Sequence, residues 1–180
     1  RSKLKELHQR VRATMIYVTH DQTEALTFAD QVVVMQDGQV VQSGTPVELF
    51  DRPQHTFVGH FIGSPGMNVL PCEVKNGRAS IGGHDVDLEG VVSAGSGVTE
   101  IGIRPEYVTL SESGLPATVR KVSDLGRHSV VEAMLGDRRV NAIVEGPVPE
   151  QGAGVHLTFR PDQTRLYRDG WIASAKGRAA

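Results

Sequence analysis

One cysteine, Cys72, stands in the 180 residues. No internal disulfide can form, and a reducing compartment is expected. Seven scattered histidines, His8, His20, His55, His60, His84, His128 and His156, give with that cysteine no zinc-like spacing. Charge of neither sign dominates. Residues 1–63 carry 6 basic and 7 acidic side chains, and residues 64–180 carry 13 and 14. Binding to a phosphate backbone needs a basic surplus, so nucleic acid is not an expected partner. Aromatics are scarce too: beyond residue 63 there are Tyr107, Phe159, Tyr167 and Trp171, too few for the stacking platforms that hold single strands. No apolar run reaches membrane-spanning length and no signal peptide is visible, so the chain is expected to be soluble by itself.

The chain opens RSKLKELHQRV, with no initiator Met. Leu4, Leu7 and Val11 recur at helical spacing, which predicts a helix over about 2–12 and reads as the middle of something longer. Met15–Thr19 is short, apolar and β-branched, suited to a strand buried on both faces. Asp21 can cap the next helix, with Glu24 completing a capping box, and that helix is expected to run to Ala29 or Asp30. Gln31–Gln36 and Gln39–Gln42 flank Asp37-Gly38, a strong hairpin signal. Thr45-Pro46-Val47-Glu48 is a second capping box, opening a helix to Asp51. A last helix, Thr56–Ile62, is closed by Gly63.

At Ser64-Pro65-Gly66 the texture changes. Sixteen of the 20 glycines lie beyond Gly63, and turns are expected at Asn76-Gly77, Gly82-Gly83, Gly136-Asp137 and Asp169-Gly170. Between them run Asn68–Lys75, Val98–Arg104, Leu115–Val122, Ser129–Leu135, Arg138–Val144 and Val155–Phe159. Short strands with such frequent turns suggest an all-β sandwich or small barrel. A boundary near residue 64 would divide the chain into 1–63 and 64–180. Within the second part, Ile101-Gly102-Ile103-Arg104-Pro105-Glu106 recurs as Leu157-Thr158-Phe159-Arg160-Pro161-Asp162. Each copy is an alternating strand that proline stops by removing a ladder donor. Two copies 56 residues apart suggest a duplication and two small barrels of similar build. Arg104 and Arg160 could hold an anionic effector. The stronger reading is that each pairs with a local carboxylate. Cys72, beside Pro71, reads as a small core residue.

His20 is the residue that invites a chemical role. It follows an apolar strand and precedes a helix N-terminus, where ligands of open α/β sheets sit and anions are favoured. From position alone it could donate to a phosphate oxygen, orient a water attacking one, or be a buried loop histidine. A His20-Asp21 hydrolytic dyad is weaker, because adjacent residues rarely face each other and no nucleophile is marked.

The stretch from MIYVTHDQTEAL through ADQVVVMQDGQVVQSGTPVELF to FIGSPGMN resembles the end of the ATPase domain of ABC transporter subunits, of the carbohydrate-importing, maltose-importer-like group. IGIRPE and the β-rich remainder resemble that group's C-terminal regulatory (TOBE) domain. The likeness is dense over residues 13–70 and looser afterwards. It implies a fold of two parts: an α/β remnant of an ABC ATPase domain, then an all-β domain of small OB-type barrels. It makes His20 the switch histidine, contacting the γ-phosphate of ATP held mainly by other elements, and leaves Asp21 as a cap. Phosphoryl transfer is mostly positioning and charge stabilisation, so one imidazole donor there can matter greatly.

The resemblance further implies ATP and Mg2+ as cofactors of a complete subunit. Such a subunit would work as a homodimer on two membrane permease subunits, served indirectly by a solute-binding protein and open to a regulatory protein. It would sit in the cytoplasm, peripheral on the inner face of the membrane. Its solute would be a sugar, a polyol or a glycerol phosphate. Yet no G-x-x-x-x-G-K-[ST] phosphate loop, no LSGGQ signature and no strand ending in an Asp-Glu pair occurs in these residues. The 180 residues alone are therefore expected neither to bind ATP usefully nor to hydrolyse it. Two competitors stand beside this reading. One is a non-enzymatic β module binding a small oxyanion or a regulatory protein; the other is a stand-alone hydrolase using His20. Since Met15–Thr19 belongs to a sheet whose other strands are not supplied, self-association or disorder is expected in residues 1–63.

Overall fold

Asp37-Gly38 does what its residue types favour. In a computed structural model, which describes residues 6, 10–11, 13–88 and 95–173, both sit at positive φ (50° and 77°), as a tight hairpin turn requires. They join β1 (Val32–Gln36) to β2 (Gln39–Gly44). Val32 and Val34 turn inward onto Leu49, Val58 and Ile62, a small core beneath the hairpin. Leu49 belongs to α2 (Pro46–Asp51), opened by the expected capping box: Thr45 Oγ1 accepts from the Glu48 amide, and the Glu48 carboxylate accepts from the Thr45 amide at 2.8 Å. Val58 belongs to α3 (Thr56–Phe61). Ahead of the hairpin lies α1 (Gln22–Phe28).

The Met15–Thr19 strand is corrected. Residues 13–19 pair with no other strand among the described residues. Ile16 and Val18 are 91% and 90% exposed. An apolar β-branched run becomes a strand only when neighbours complete its ladder, and here none does. Most of the helix expected over 2–12 lies outside the described residues.

From residue 68 onward the chain is β. Asn68–Lys75 is broken at Cys72 into β3 (Asn68–Pro71) and β4 (Glu73–Lys75); β5 (Arg78–Ile81) and β6 (His84–Val86) complete a three-stranded meander. Then follow β7 (Thr99–Ile103), β8 (Val108–Ser111), β9 (Leu115–Asp124), β10 (Ser129–Leu135), β11 (Arg138–Val144), β12 (Gly154–Phe159), β13 (Arg165–Arg168) and β14 (Trp171–Ile172). Five strands pair in the order β11-β10-β9-β12-β8, and four as β14-β13-β7-β3. β10 alternates buried and partly buried residues along its whole length, the period-2 pattern of a strand with one face in the core. Cys72 is half-buried against that core, and burial pushes its thiol above the usual value.

The six-residue repeat explains how the two larger sheets interlock. Each copy is a strand, an arginine, and a single 3-10 turn (Pro105–Tyr107 or Pro161–Gln163) that feeds a second strand. β7 lies in the four-stranded sheet and β8 in the five-stranded one; for β12 and β13 the assignment is reversed. Each copy thus crosses between the sheets, and the copies touch where the Arg160 amide donates to the Tyr107 carbonyl at 3.1 Å. One apolar cluster, including Leu70, Ile101, Ile103, Leu157, Phe159 and Leu166, fills the space between them.

Candidate functional site

His20 follows Thr19, whose hydroxyl accepts the Asp21 amide at 3.0 Å. Asp21 is the cap of α1: its Oδ1 accepts from the amides of Thr23 (2.8 Å) and Glu24 (3.2 Å). The reciprocal arm expected of Glu24 goes elsewhere, because its carboxylate accepts from the hydroxyls of Tyr17 and Thr19, both at 3.1 Å. These bonds hold the loop while leaving the imidazole clear. His20 is exposed, which removes the buried-histidine reading. Asp21 faces its own helix rather than His20, which removes the dyad.

What positions this loop was not read from the sequence. The Gln22 side-chain oxygen accepts the Gly63 amide at 2.9 Å. The first residue of α1 is therefore held against the end of α3, across 41 positions of chain. Gly63 needs its flexibility: φ is +114°, and a Cβ there would come within 2.9 Å of the Arg104 guanidinium.

Arg104 and Arg160, equivalent in the repeat, part company. Arg160 forms a bidentate pair with Asp162 (Nε–Oδ1 3.1 Å, Nη2–Oδ2 2.8 Å) on the surface, as the local reading expected. Arg104 does not pair with a local carboxylate, and there the expectation is corrected. It is only 4% exposed and reaches back across the chain. Nε donates to the Phe50 carbonyl at 2.8 Å and Nη1 to the Ile62 carbonyl at 2.6 Å, with a longer bond to Gly59 at 3.4 Å. Its guanidinium lies 3.8 Å from the Phe50 ring centroid. Carbonyls at helix ends lack intrahelical partners, and a guanidinium fork can satisfy several at once. Burial pushes this guanidinium below its usual pKa. Nearby, the fully buried Tyr167 donates from its hydroxyl to the Pro53 carbonyl at 3.0 Å. Arg104 and Tyr167 thus join the β sheets to the helix pair. The only sequence cue for Tyr167 is its place beside Leu166 in an apolar pair flanked by Arg165 and Arg168, and both members of that pair are buried.

The described residues do not fit a nucleotide site. No group of His, Cys, Asp or Glu among them could hold a metal ion. Asp21 takes the amides of Thr23 and Glu24, two of those that α1 would otherwise offer an anion beside His20. His20 offers a phosphate one imidazole donor and no more. Among the described residues no helix is long and apolar enough to cross a membrane.

Residues 101–166 match the TOBE domain family. An ABC transporter ATP-binding protein, y4oS of Sinorhizobium fredii, is 42% identical over 173 residues, covering 93% of this chain and 47% of the relative. The sn-glycerol-3-phosphate import ATP-binding protein UgpC of Ruegeria pomeroyi is 40% identical over 174 residues, 93% of this chain and 48% of the relative. UgpC of Salmonella typhimurium is 38% identical over 181 residues, 93% and 49%. The chain spans about half the length of these curated relatives. Over that span, with its TOBE domain, it belongs to the ABC transporter ATP-binding protein family.

Proposed function

We propose that this chain is the C-terminal portion of the ATP-hydrolysing subunit of an ABC importer. Residues 1–63 would close its ATPase domain, and residues 64–180 would form its regulatory, dimer-stabilising β domain. The observation that carries the proposal is the 42% identity to an ABC transporter ATP-binding protein across 93% of the chain. In this reading His20 is the switch histidine. Its exposed imidazole, on a loop braced by Thr19, Asp21 and Gln22, suits a single N–H donated to a γ-phosphate oxygen. Residues outside this chain would hold the ATP and Mg2+. The subunit would act as a homodimer beneath two permease subunits, in the cytoplasm at the membrane face, with a solute-binding protein delivering the cargo. Relatives named for sn-glycerol-3-phosphate import favour a polyol phosphate or sugar as that cargo.

The test has two arms. Calorimetric titration of the 180 residues with MgATP should show no tight binding and no turnover. Joined to an upstream half carrying the phosphate loop, the protein should hydrolyse ATP, and His20→Ala should lower kcat by roughly a hundredfold or more, the scale of losing one preorganised transition-state donor. Tight MgATP binding and turnover by the 180 residues alone, or an unchanged kcat in the joined His20→Ala protein, would sink the reading.

A further inference from the structure

Gly63 closes α3 with a borrowed bond. A helix that stops on a residue at positive φ ordinarily returns that residue's amide to a carbonyl of its own last turn. Here the Gly59 carbonyl, which stands in that place, accepts the Met67 amide at 3.0 Å and a longer bond from Arg104 at 3.4 Å. The Gly63 amide goes instead to the Gln22 side-chain oxygen, 2.9 Å away. The end of α3 is thus closed by three groups foreign to it, and one of them belongs to the helix that follows His20.

The two sides of the Gln22–Gly63 bond differ in firmness. On the Gly63 side there is little room: a Cβ on Gly66 would run into the His60 carbonyl, and one on Gly59 into the Met67 side chain. The Ile62 carbonyl, next to Gly63, is held by Arg104 at 2.6 Å. On the Gln22 side the chain is held more loosely. Residues 13–18 are exposed, and Ala25, Leu26 and Ala29 are only partly buried against the small core. The bonds given above for Thr19, Asp21 and Glu24 close within residues 17–24. They set the shape of the loop and not its place on the protein. Packing of partly buried apolar groups is non-directional. The Gln22 bond is directional, and it starts two residues from His20.

We infer that Gln22 is a positioning residue for ATP hydrolysis: by holding the Gly63 amide it fixes where the His20 imidazole stands. The inference rests on the reading of His20 as the switch histidine. A donor to a transferring phosphoryl group is effective because it is already in place when charge develops. With a single imidazole on an exposed loop, a small displacement passes directly into the rate. The Gln22 side-chain oxygen is spent on Gly63, so its part is to place His20.

The experiment compares variants of the complete subunit, with these 180 residues joined to the upstream half that carries the phosphate loop. Gln22→Met keeps the length of the side chain and removes the acceptor. It should lower kcat roughly tenfold and leave KM for MgATP unchanged, because placement is lost and nucleotide binding is not. In a His20→Ala background the same substitution should cost nothing further, since no imidazole is left to place. Gln42→Met is the control. Gln42 is a similar clamp, accepting the Gln54 amide at 2.8 Å and donating to the Arg52 carbonyl at 3.1 Å. Its loss should lower Tm at least as much as Gln22→Met does, with kcat unchanged. In the 180-residue chain, amide exchange at Gly63 should quicken in Gln22→Met, and exchange at Met67 should not. An unchanged kcat in Gln22→Met, an equal loss in Gln42→Met, a full further loss in the His20→Ala background, or unaltered exchange at Gly63 would overturn the inference. His20→Ala separates the two failures. If it lowers kcat while Gln22→Met does not, only the positioning role falls; if it leaves kcat unchanged, the ATPase reading falls with it.

Discussion

Replacing Arg104 by methionine separates a structural arginine from its surface counterpart in the same motif. Methionine keeps the aliphatic stem but removes the fork. The Phe50 and Ile62 carbonyls, 2.8 and 2.6 Å from nitrogen, lose a charged donor, and the guanidinium leaves the Phe50 ring 3.8 Å away. Hydrogen bonds to charged groups contribute about 1.5–3 kcal/mol each, and the cation–ring contact adds of order 1. Relief of the buried charge and of the unpaired Nη2 offsets part of that. A net loss of about 3–5 kcal/mol follows, and at about 2–4 °C per kcal/mol for a chain of this size Tm should fall by roughly 10 °C. Arg104→Lys should fall between, since an ammonium cannot reach the carbonyls as a planar fork. Arg160→Met removes an exposed ion pair and a looser cation–ring contact, 5.2 Å from the Tyr107 centroid, and should lower the same melt far less than Arg104→Met does. Urea midpoints of the three variants decide it, and amide exchange adds a local reading: Gly63, whose bond to Gln22 adjoins Ile62, should exchange faster in Arg104→Met. Asn141, held by the Asn68 side chain at 2.8 Å, should not. Equal losses at Arg104 and Arg160, or a neutral Arg104→Met, would refute the assignment of Arg104 as the joint.

Two titrating side chains give pH predictions of opposite sense. Burial pushes the Tyr167 hydroxyl from 10.0 up to about 12, so the unfolded tyrosine ionises first; its contribution is full below pH 10 and is lost as pH rises through about 12, by at most about 3 kcal/mol. Tyr167→Phe should flatten that alkaline limb in denaturant melts, at the cost of one hydrogen bond, and an unchanged limb would remove Tyr167 as its source. His55 works at the acid end: burial lowers its pKa from 6.5, and its neutral Nδ1 caps α3 by accepting the Phe57 amide at 3.0 Å. Its contribution is present above pH 6.5 and fades as pH falls through the lowered value, so His55→Asn, which keeps a capping acceptor but does not titrate, should make the acid limb shallower.

Local chemistry was readable wherever a few adjacent residues decide the outcome. Asp37-Gly38, Thr45-Pro46-Val47-Glu48 and the turn pairs Asn76-Gly77 and Asp169-Gly170 need only their own backbone preferences, and each stands where expected. Reading failed where the decision lies far along the chain. Met15–Thr19 carries a strand's composition, but pairing requires a partner that the described residues do not contain. β5, β6, β8, β13 and β14 were missed because strands of two to four residues, several rich in charge, owe their form to the ladders beside them rather than to propensity. Arg104 was misread for the same reason: its acceptors lie 42 to 54 residues away, and a local carboxylate was the only partner visible nearby.

His20 differs from both cases. Its position at the head of a capped helix was readable, and the structure adds the bracing through Thr19, Asp21 and Gln22. Gln22 bonds the amide of Gly63, and the neighbouring Ile62 carbonyl takes the Arg104 guanidinium, so the loop bearing His20 and the end of β7 grip adjacent residues of one short segment. That segment ends α3, whose Val58 and Ile62 are fully buried with Leu49 under the hairpin and leave it little room to yield. Bonds to neighbouring peptide groups in a packed core cannot move far independently, because interiors are dense and voids few. The exposed imidazole is thus mounted on a loop that meets the β sheets through Gly63 and Ile62, beside the ties that the Pro53 and Gln54 carbonyls and the Thr56 amide make to β13 and β14. In the second copy of the repeat the equivalent arginine, Arg160, pairs with Asp162 on the surface, so it is the inward turn of Arg104, and not the motif, that ties the Ile62 carbonyl to the end of β7.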